Sequence, residues 1–321
     1  MKIRSLQSSE MAGYSALSAK YGSVFNSFKW INMFGSNISL NGIFNDNNDL
    51  IGAFFHFKAS KFGMPYIANP PFTPNNGLFF INPSTNKSNQ NTFEKSVMEL
   101  IADFYKTLSP FFFVTSLPVG YKDTQPFSWK KFNVLPKYTY RIDLSLPENT
   151  LLENLTSEKR KSLNKAEKDN LVIKKESDLT VVYDLILKTF ERQHEKISEQ
   201  WLKSILFEFA DTTNSIAFVA YNGEKPIATS FCVNDKHTAY YILGGYDADN
   251  RHHGAGVSTM WNCITHARSA GLKVFDFEGS MIPDIEKYFR EFGGTMTPYF
   301  AMTKVPLPVE VIFKLFKRKL I

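Results

Sequence analysis

The chain has 321 residues, long enough for two domains of ordinary size, and its 43% hydrophobic and 15% aromatic content can fill sizeable cores. Charged residues make up 21% and the net charge is +6, which excludes a disordered composition and is compatible with a phosphorylated ligand, an anionic surface or RNA. Two cysteines, Cys232 and Cys263, show no C-x-x-C or Cys/His spacing that suggests a metal site. They fit a reducing cytoplasm, and no metal is expected. The N-terminal MKIRSLQSSEM lacks the apolar core of a signal peptide, and no run of 18 apolar residues marks a membrane span.

Residues 1–35 read as helical, with Ser8 or Ser9 as the N-cap and Tyr14, Leu17 and Tyr21 on one face. Two strand-like runs, Ile38–Phe44 and Leu50–Phe57, flank an Asn/Asp-rich turn and predict a hairpin. The prolines between Phe62 and Pro74 predict irregular backbone. Apolar residues at helical spacing from Phe93 to Leu108 predict a helix over Thr92–Leu108, followed by a buried strand over Phe111–Ser116. Residues 117–137 then read as a long connection around Trp129.

A second pattern begins at Tyr138. A strand over Thr139–Leu144 leads to a helix opening at Pro147 and continuing through Ser157–Lys168. A strand (Leu171–Lys175), two helices (Leu179–Ile197 and Ser198–Asp211) and a hairpin closed by Asn222-Gly223 follow. Thr238–Leu243 is a strand whose end Gly244-Gly245 interrupts. A polar, glycine-bearing turn then leads into a helix over Val257–Ala270, with Val257, Met260, Trp261, Ile264 and Ala267 on one face. Leu272–Phe277 is the next strand, so the stretch forms a βαβ unit. A short helix from Pro283 to Phe292, a strand over Thr297–Lys304 and a basic amphipathic helix from Pro306 to Ile321 complete the chain. The fold class is therefore α+β with mixed sheets. Its expected domains are 1–137, 138–305 and a C-terminal helix over 306–321.

The turn Arg251-His252-His253-Gly254-Ala255-Gly256 can cradle an anion. Its glycines permit close approach of backbone, the first turn of the helix offers free N–H groups, and Arg251 adds a planar cation. A plain strand-to-helix turn is the competing reading. Asp276 and Glu278 alternate with phenylalanines, so on a strand both carboxylates face one side, where each could raise the other's pKa and supply a base. Ion pairing with Arg251 or Arg290 is the alternative use. An oxyanion could be stabilised by backbone N–H groups at Leu243, Gly244 and Gly245 or by Arg290, and Tyr246, Tyr288 or His253 could protonate a leaving thiolate. Lys159, Arg160, Lys161, Lys165 and Lys168 form a basic helix that could grip a phosphorylated or lipid-linked acceptor or RNA, or be a solvated face. Trp30, Tyr66 and the Pro70–Pro74 segment are candidates for an acceptor cleft wall.

Arg251-x-x-Gly254-x-Gly256 resembles the R/Q-x-x-G-x-G/A signature of the GNAT acyltransferases. Together with FDFEGS at 275–280, YFREFGG at 288–294, the basic 157–168 helix, TFERQ at 189–193, FNSFKW at 25–30 and PPFTP at 70–74, it resembles the FemAB-like tandem-GNAT transferases, including BioF2-like acetyltransferase domains and peptidoglycan aminoacyl transferases. Phe289 stands where many GNAT enzymes place a tyrosine acid, with Tyr288 one residue off. Phe289-Arg290 replaces the Phe-Lys pair of Fem enzymes, and their long tRNA-binding helical hairpin is not evident. The resemblance implies two GNAT-like domains, a degenerate first one shaping the acceptor cleft and a second one holding acyl-CoA. It implies an acetyl-CoA-type co-substrate and transfer to an amine on a sugar or cell-envelope precursor. The alternatives are an aminoacyl-tRNA donor with a peptidoglycan acceptor, or a non-catalytic binder of nucleotide-sugars or RNA. The location expected from the sequence is cytoplasmic, and the basic C-terminal helix can lie on the inner membrane surface or dock on the protein's own core.

Overall fold

In the computed structural model, which describes residues 1–61, 63–193 and 197–306, the chain divides into two units. Of the described residues, the first holds those of Met1–Lys137 and those from Pro298 to Pro306, and the second holds those of Tyr138–Thr297.

The first unit opens on a strand, not a helix. In β1 (Lys2–Ser5), Ile3 packs on the apolar core while the Arg4 guanidinium stacks 3.8 Å from the Phe44 ring centroid and pairs with Glu10 at 2.5 Å. These contacts favour extended backbone where residue types alone read as helical. The helix α1 (Met11–Tyr21) follows a short turn capped reciprocally by Gln7 and Glu10 rather than by Ser8 or Ser9. Tyr14 is buried, with its hydroxyl donating to the Asn26 carbonyl at 2.7 Å, but Tyr21 is exposed and does not share its face. After α2 (Phe28–Asn32), the expected hairpin forms from β2 (Ile38–Phe44) and β3 (Leu50–Lys61). The proline-rich stretch contains a strand, β4 (Met64–Ala68), paired antiparallel with β3 and parallel with β6 (Phe112–Ser116). Pro65 is tolerated because its carbonyl still accepts the Phe111 N–H at 3.0 Å. The short β5 (Phe79–Phe80) adds to β3.

The long helix α3 (Lys87–Leu108) buries Val97, Met98, Ile101, Ala102 and Tyr105 against this sheet. Tyr105 meets Phe54 and Phe113 edge-on at 5.5 and 4.7 Å between ring centroids. The connection around Trp129 contains α4 (Gln125–Trp129) and leads into β7 (Asn133–Asp143), which carries the chain to the second unit. The last strand, β13 (Thr295–Lys304), was expected in the second domain. Its end, Ala301–Lys304, pairs with Phe113–Ser116 of the first unit. Trp30 is fully buried here, donates through Nε1 to Thr73 Oγ1 at 3.0 Å and packs against Phe25 and Phe34. It is a core residue rather than a cleft wall. Tyr66 is half-buried on β4.

In the second unit the strand order is β7, β12 (Val274–Asp276), β11 (Thr238–Tyr246), β10 (Lys225–Asn234), β9 (Ser215–Asn222), β8 (Val172–Lys175). All neighbours are antiparallel except β11 and β12, which the helix α9 (Ala255–Ser269) connects in parallel. The single helix expected from Pro147 is two, α5 (Glu148–Asn154) and α6 (Ser157–Lys168). Leu155 and Thr156 between them are extended, and the Thr156 side chain caps α6. Next come α7 (Leu179–Arg192) and α8 (Glu199–Lys203), the latter passing into a π-helical turn at Ser204–Phe209. The helix α10 (Pro283–Arg290) precedes β13. The core gathers Val257, Met260, Ile264 and Ala267 of α9 with Phe275, Phe277, Phe289 and Phe292, whereas Trp261 is only partly buried.

His194 and the C-terminal segment from Leu307, expected as a basic amphipathic helix, lie outside the described residues. Among the described residues no helix is long and apolar enough to cross a membrane, and no His/Cys/Asp/Glu cluster could hold a metal.

The Asn86 side chain accepts the N–H groups of Ser88 and Asn89 and so starts α3. Asn86→Ala should lower unfolding free energy by about 1 kcal/mol, read as a fall in urea midpoint at unchanged slope.

Candidate active site

The second unit contains a cleft of roughly 670 Å³, lined by residues of α7, β10, β11, the 251–256 turn, α9 and α10. Its origin is a mismatch of strand lengths. The strand β11 remains paired with β10 from Ala239 to Tyr246, with a bulge between Phe231 and Cys232. It meets β12 only from Thr238 to Tyr240. Beyond Asp276 the chain turns away through Glu278 and Gly279, both in left-handed conformation at φ 59° and 76°. From Tyr241 onward, that edge of β11 has no ladder partner among the described residues. The pair Gly244-Gly245 does not interrupt β11 but lies inside it, opposite Ser230 and Thr229. Gly245 serves packing, because a Cβ there would collide with the Leu185 backbone of α7. From the same helix, Thr189 Oγ1 accepts the Tyr246 N–H at 2.8 Å and ties down the end of the strand.

The turn after β11 divides its polar groups between structure and cleft. His252 Nδ1 accepts the Gly254 N–H at 3.0 Å, so its proton sits on Nε2, which donates to Asp169 Oδ2 at 2.8 Å. Asp169 also holds Lys165 at 2.7 Å. The Ala255 N–H donates to the His252 carbonyl at 3.2 Å. Gly254 is a packing glycine, since a Cβ would run into the Ser162 carbonyl of α6. Of the expected anion cradle, this leaves the N–H groups of Gly256 and Val257. Neither has a protein acceptor among the described residues, and both residues line the cleft at the N-terminus of α9. Arg251 and His253 line it too and are exposed.

Opposite the turn stands Tyr288 of α10. Phe289 is buried and stacks on Phe277 at 5.0 Å, which sets the helix so that Tyr288 enters the cleft. The Tyr288 hydroxyl lies 3.6 Å from where a Cβ on Gly256 would stand. Burial, then Cys263 and Glu291, raise its pKa, so it stays protonated as a donor. Among the cleft residues not singled out from the sequence are Tyr241 and Arg192. Tyr241, on a strand that reads as core, places its hydroxyl against Gly244. Arg192 reaches over the Tyr246 ring at 4.4 Å. The TFERQ segment was the available signal for Arg192.

Several expected site residues do other work. Arg290 is exposed, pairs with Glu286 at 3.3 Å and is not part of the cleft lining. Arg160 donates to the carbonyls of Glu153 (2.8 Å) and Leu155, closing the end of α5 instead of gripping an acceptor. Lys159 is buried against the Tyr288 ring, 3.5 Å from its centroid, and pairs with Glu291 at 3.4 Å. Asp276 and Glu278 do not share a strand face, because the strand ends at Asp276. The buried Asp276 accepts from Thr139 Oγ1 at 2.7 Å and from the Glu278 N–H at 2.9 Å, and lies 3.1 Å from Arg141 Nε. Burial still raises it, with those partners opposing. Burial and the Asp276 charge push the Glu278 carboxyl well above the usual range, with Arg141 opposing. Neither carboxylate is part of the cleft lining.

Comparison with known proteins places this arrangement. The acetyltransferase (GNAT) domain family matches residues 154–290, which contain the cleft residues named above. No curated protein matches the sequence. Among solved structures, FemX superposes with a TM-score of 0.66 at 10% identity, covering 98% of this chain and 100% of that one. The C-terminal domain of a putative lysylphosphatidylglycerol synthetase from Agrobacterium fabrum gives 0.58 at 10% identity, covering 95% of each chain. A tandem GNAT protein of the clavulanic acid biosynthesis pathway gives 0.50 at 10% identity, covering 83% of this chain and 82% of that one. At these identities the structural likeness is one of fold.

Glu278 has a folded-state pKa above its unfolded value of 4.5, so the folded state binds the extra proton between the two. Its stabilising contribution is present below the unfolded pKa and is lost as pH rises toward the folded one. Glu278→Gln, which mimics the neutral acid, should therefore be more stable than wild type at about pH 8, with the gap narrowing toward about pH 5 in urea titrations.

Proposed function

We propose that this chain, whose residues 154–290 match the acetyltransferase (GNAT) domain family and whose fold resembles FemX and a tandem GNAT protein, moves an acyl group from acyl-CoA to an amine on a sugar or cell-envelope precursor. The observation that carries the reading is the convergence, in one cleft, of the free N–H groups of Gly256 and Val257, the Arg251 cation and the Tyr288 hydroxyl. A helix N-terminus with an adjacent guanidinium suits the pyrophosphate of CoA. Arg192 adds a second cation on the same cleft. The unpaired edge of β11 at Leu243–Gly245 offers backbone donors to the thioester carbonyl, where negative charge develops as the amine attacks. Collapse of that adduct expels the CoA thiolate, and Tyr288 protonates it. Glu278, outside the cleft lining, follows the point where β11 and β12 part, and burial with the Asp276 charge raises its pKa above the usual carboxylate range, which makes it the candidate to take the amine proton.

A second reading has an aminoacyl-tRNA as donor and a peptidoglycan or lipid-linked acceptor. It is favoured by the names of two similar structures, FemX and the putative lysylphosphatidylglycerol synthetase. The two readings separate on donor binding. One millimolar CoA acting on a micromolar site should stabilise the fold by about 4 kcal/mol, a rise in Tm of several degrees. Arg251→Ala should abolish most of that rise. Tyr288→Phe should keep it while lowering turnover with acetyl-CoA by about 100-fold. The absence of any shift with CoA and acetyl-CoA would exclude the acyl-CoA donor.

A further inference from the structure

Lys159 is 5% exposed, although it belongs to a helix whose other lysines face solvent. Its burial is built in. The Thr156 N–H donates to the Glu291 carbonyl at 3.1 Å, which joins the start of α6 to the end of α10, and Thr156 Oγ1 accepts the Lys159 N–H at 3.3 Å. The ammonium is thereby held over the face of Tyr288, 3.5 Å from the ring centroid and 4.9 Å from that of Phe292. Glu291 Oε2, at 3.4 Å, is its counter-ion, and the other carboxylate oxygen, Oε1, lies 3.9 Å from Lys287. Lys159 is not part of the cleft lining, so it does not reach a bound donor except through the ring it covers.

Resting on the acyl-CoA reading above, we propose that Lys159 is a positioning residue that keeps the Tyr288 ring over Gly256 and stabilises the phenolate formed when Tyr288 protonates the CoA thiolate. In that step the phenol O–H bond breaks and the S–H bond forms. The phenolate left behind takes a proton from solvent, to which Glu278 releases the proton it took from the acceptor amine. A cation over a ring face is attracted to the neutral ring and more strongly to the anionic one, so its effect is larger after proton transfer than before. The other groups facing this pair are Cys263 of α9, Tyr241 of β11, Glu291 and Lys287 around the end of α10, and Glu158 beside Lys159. Cys263 and Glu291 disfavour the phenolate, which leaves Lys159 as the close cation opposing them. Burial draws the Lys159 ammonium down to about 8, so its charge is lost within a testable pH range.

The test replaces Tyr288 with 3-fluorotyrosine and follows its fluorine resonance from about pH 6 to about pH 10 in the full chain, without donor, where Lys159 loses its charge and the Tyr288 phenol stays protonated. That resonance should step near pH 8 as the ammonium above the ring loses its proton, and Lys159→Met, which keeps the length and removes the charge, should abolish the step. With acetyl-CoA, Lys159→Met should lower kcat about tenfold at unchanged KM, and Lys159→Arg should restore it and remove the alkaline fall-off near pH 8. Should Lys159→Met not fold, Lys159→Gln serves in its place. A fluorine resonance with no step near pH 8, or the same step in the folded neutral variant, would overturn the proposal, as would unchanged kcat in a protein that binds CoA. The titration needs no donor. A step that Lys159→Met abolishes, in a protein that fails to bind CoA, therefore supports the coupling while removing the acyl-CoA reading.

Discussion

The cleft exists because β11 outruns β12. One edge of β11 is paired with β10 to its end at Tyr246, while the other loses its partner after Tyr240. Backbone donors and acceptors left without a ladder partner are costly when buried and useful when they face a ligand. The chain enforces the parting by turning away at Glu278 and Gly279 in left-handed conformation, where Gly279 lies so close to the Tyr138 carbonyl that no Cβ would fit. Asp276 secures the last residue of the short strand through Thr139, Arg141 and the Glu278 N–H. Its carboxylate is spent on holding the gap open.

Around that gap, helices are docked at fixed distances by residues that lack bulk. Gly245 admits the backbone of α7, and Gly254 admits that of α6. The two contacts place Thr189 on the end of β11 and bring α6 against the turn, where Asp169 meets His252. The glycine signature therefore works unequally. Gly254 lets two helices approach and its N–H is consumed by His252, whereas Gly256 stands free at the cleft. On the far side, the aromatic stack of Phe289 on Phe277 and the buried Lys159 set Tyr288 above that turn.

Much of the fold was legible in the sequence because it rests on periodicity. The hairpin of β2 and β3, the long α3, and the strand–turn–helix–strand around Gly254 follow from alternation and 3.6-residue spacing. What escaped depends on tertiary partners. The strand β1 needs Phe44 and Glu10 to hold Arg4, and β4 needs β3 and β6 to accept Pro65. The break between α5 and α6 is invisible without the contact of Thr156 with Glu291. Site residues divide in the same way. The turn, Tyr288 and the β11 glycines could be named from local pattern. Lys159, Arg160 and Arg290 read as free cations because sequence does not show which lysine or arginine is buried or paired. Trp30 was named for its ring alone, which its hydrogen bond to Thr73 places in the core.

The central claim is that the donor's phosphates are held by the free amides at the start of α9. Selective ¹⁵N labelling of glycine and valine with CoA titration tests it most directly. The account predicts that the Gly256 and Val257 amide resonances move downfield on CoA addition, while that of Gly254, whose proton is already held by His252, moves little. Unmoved Gly256 and Val257 amides at saturating CoA would contradict it.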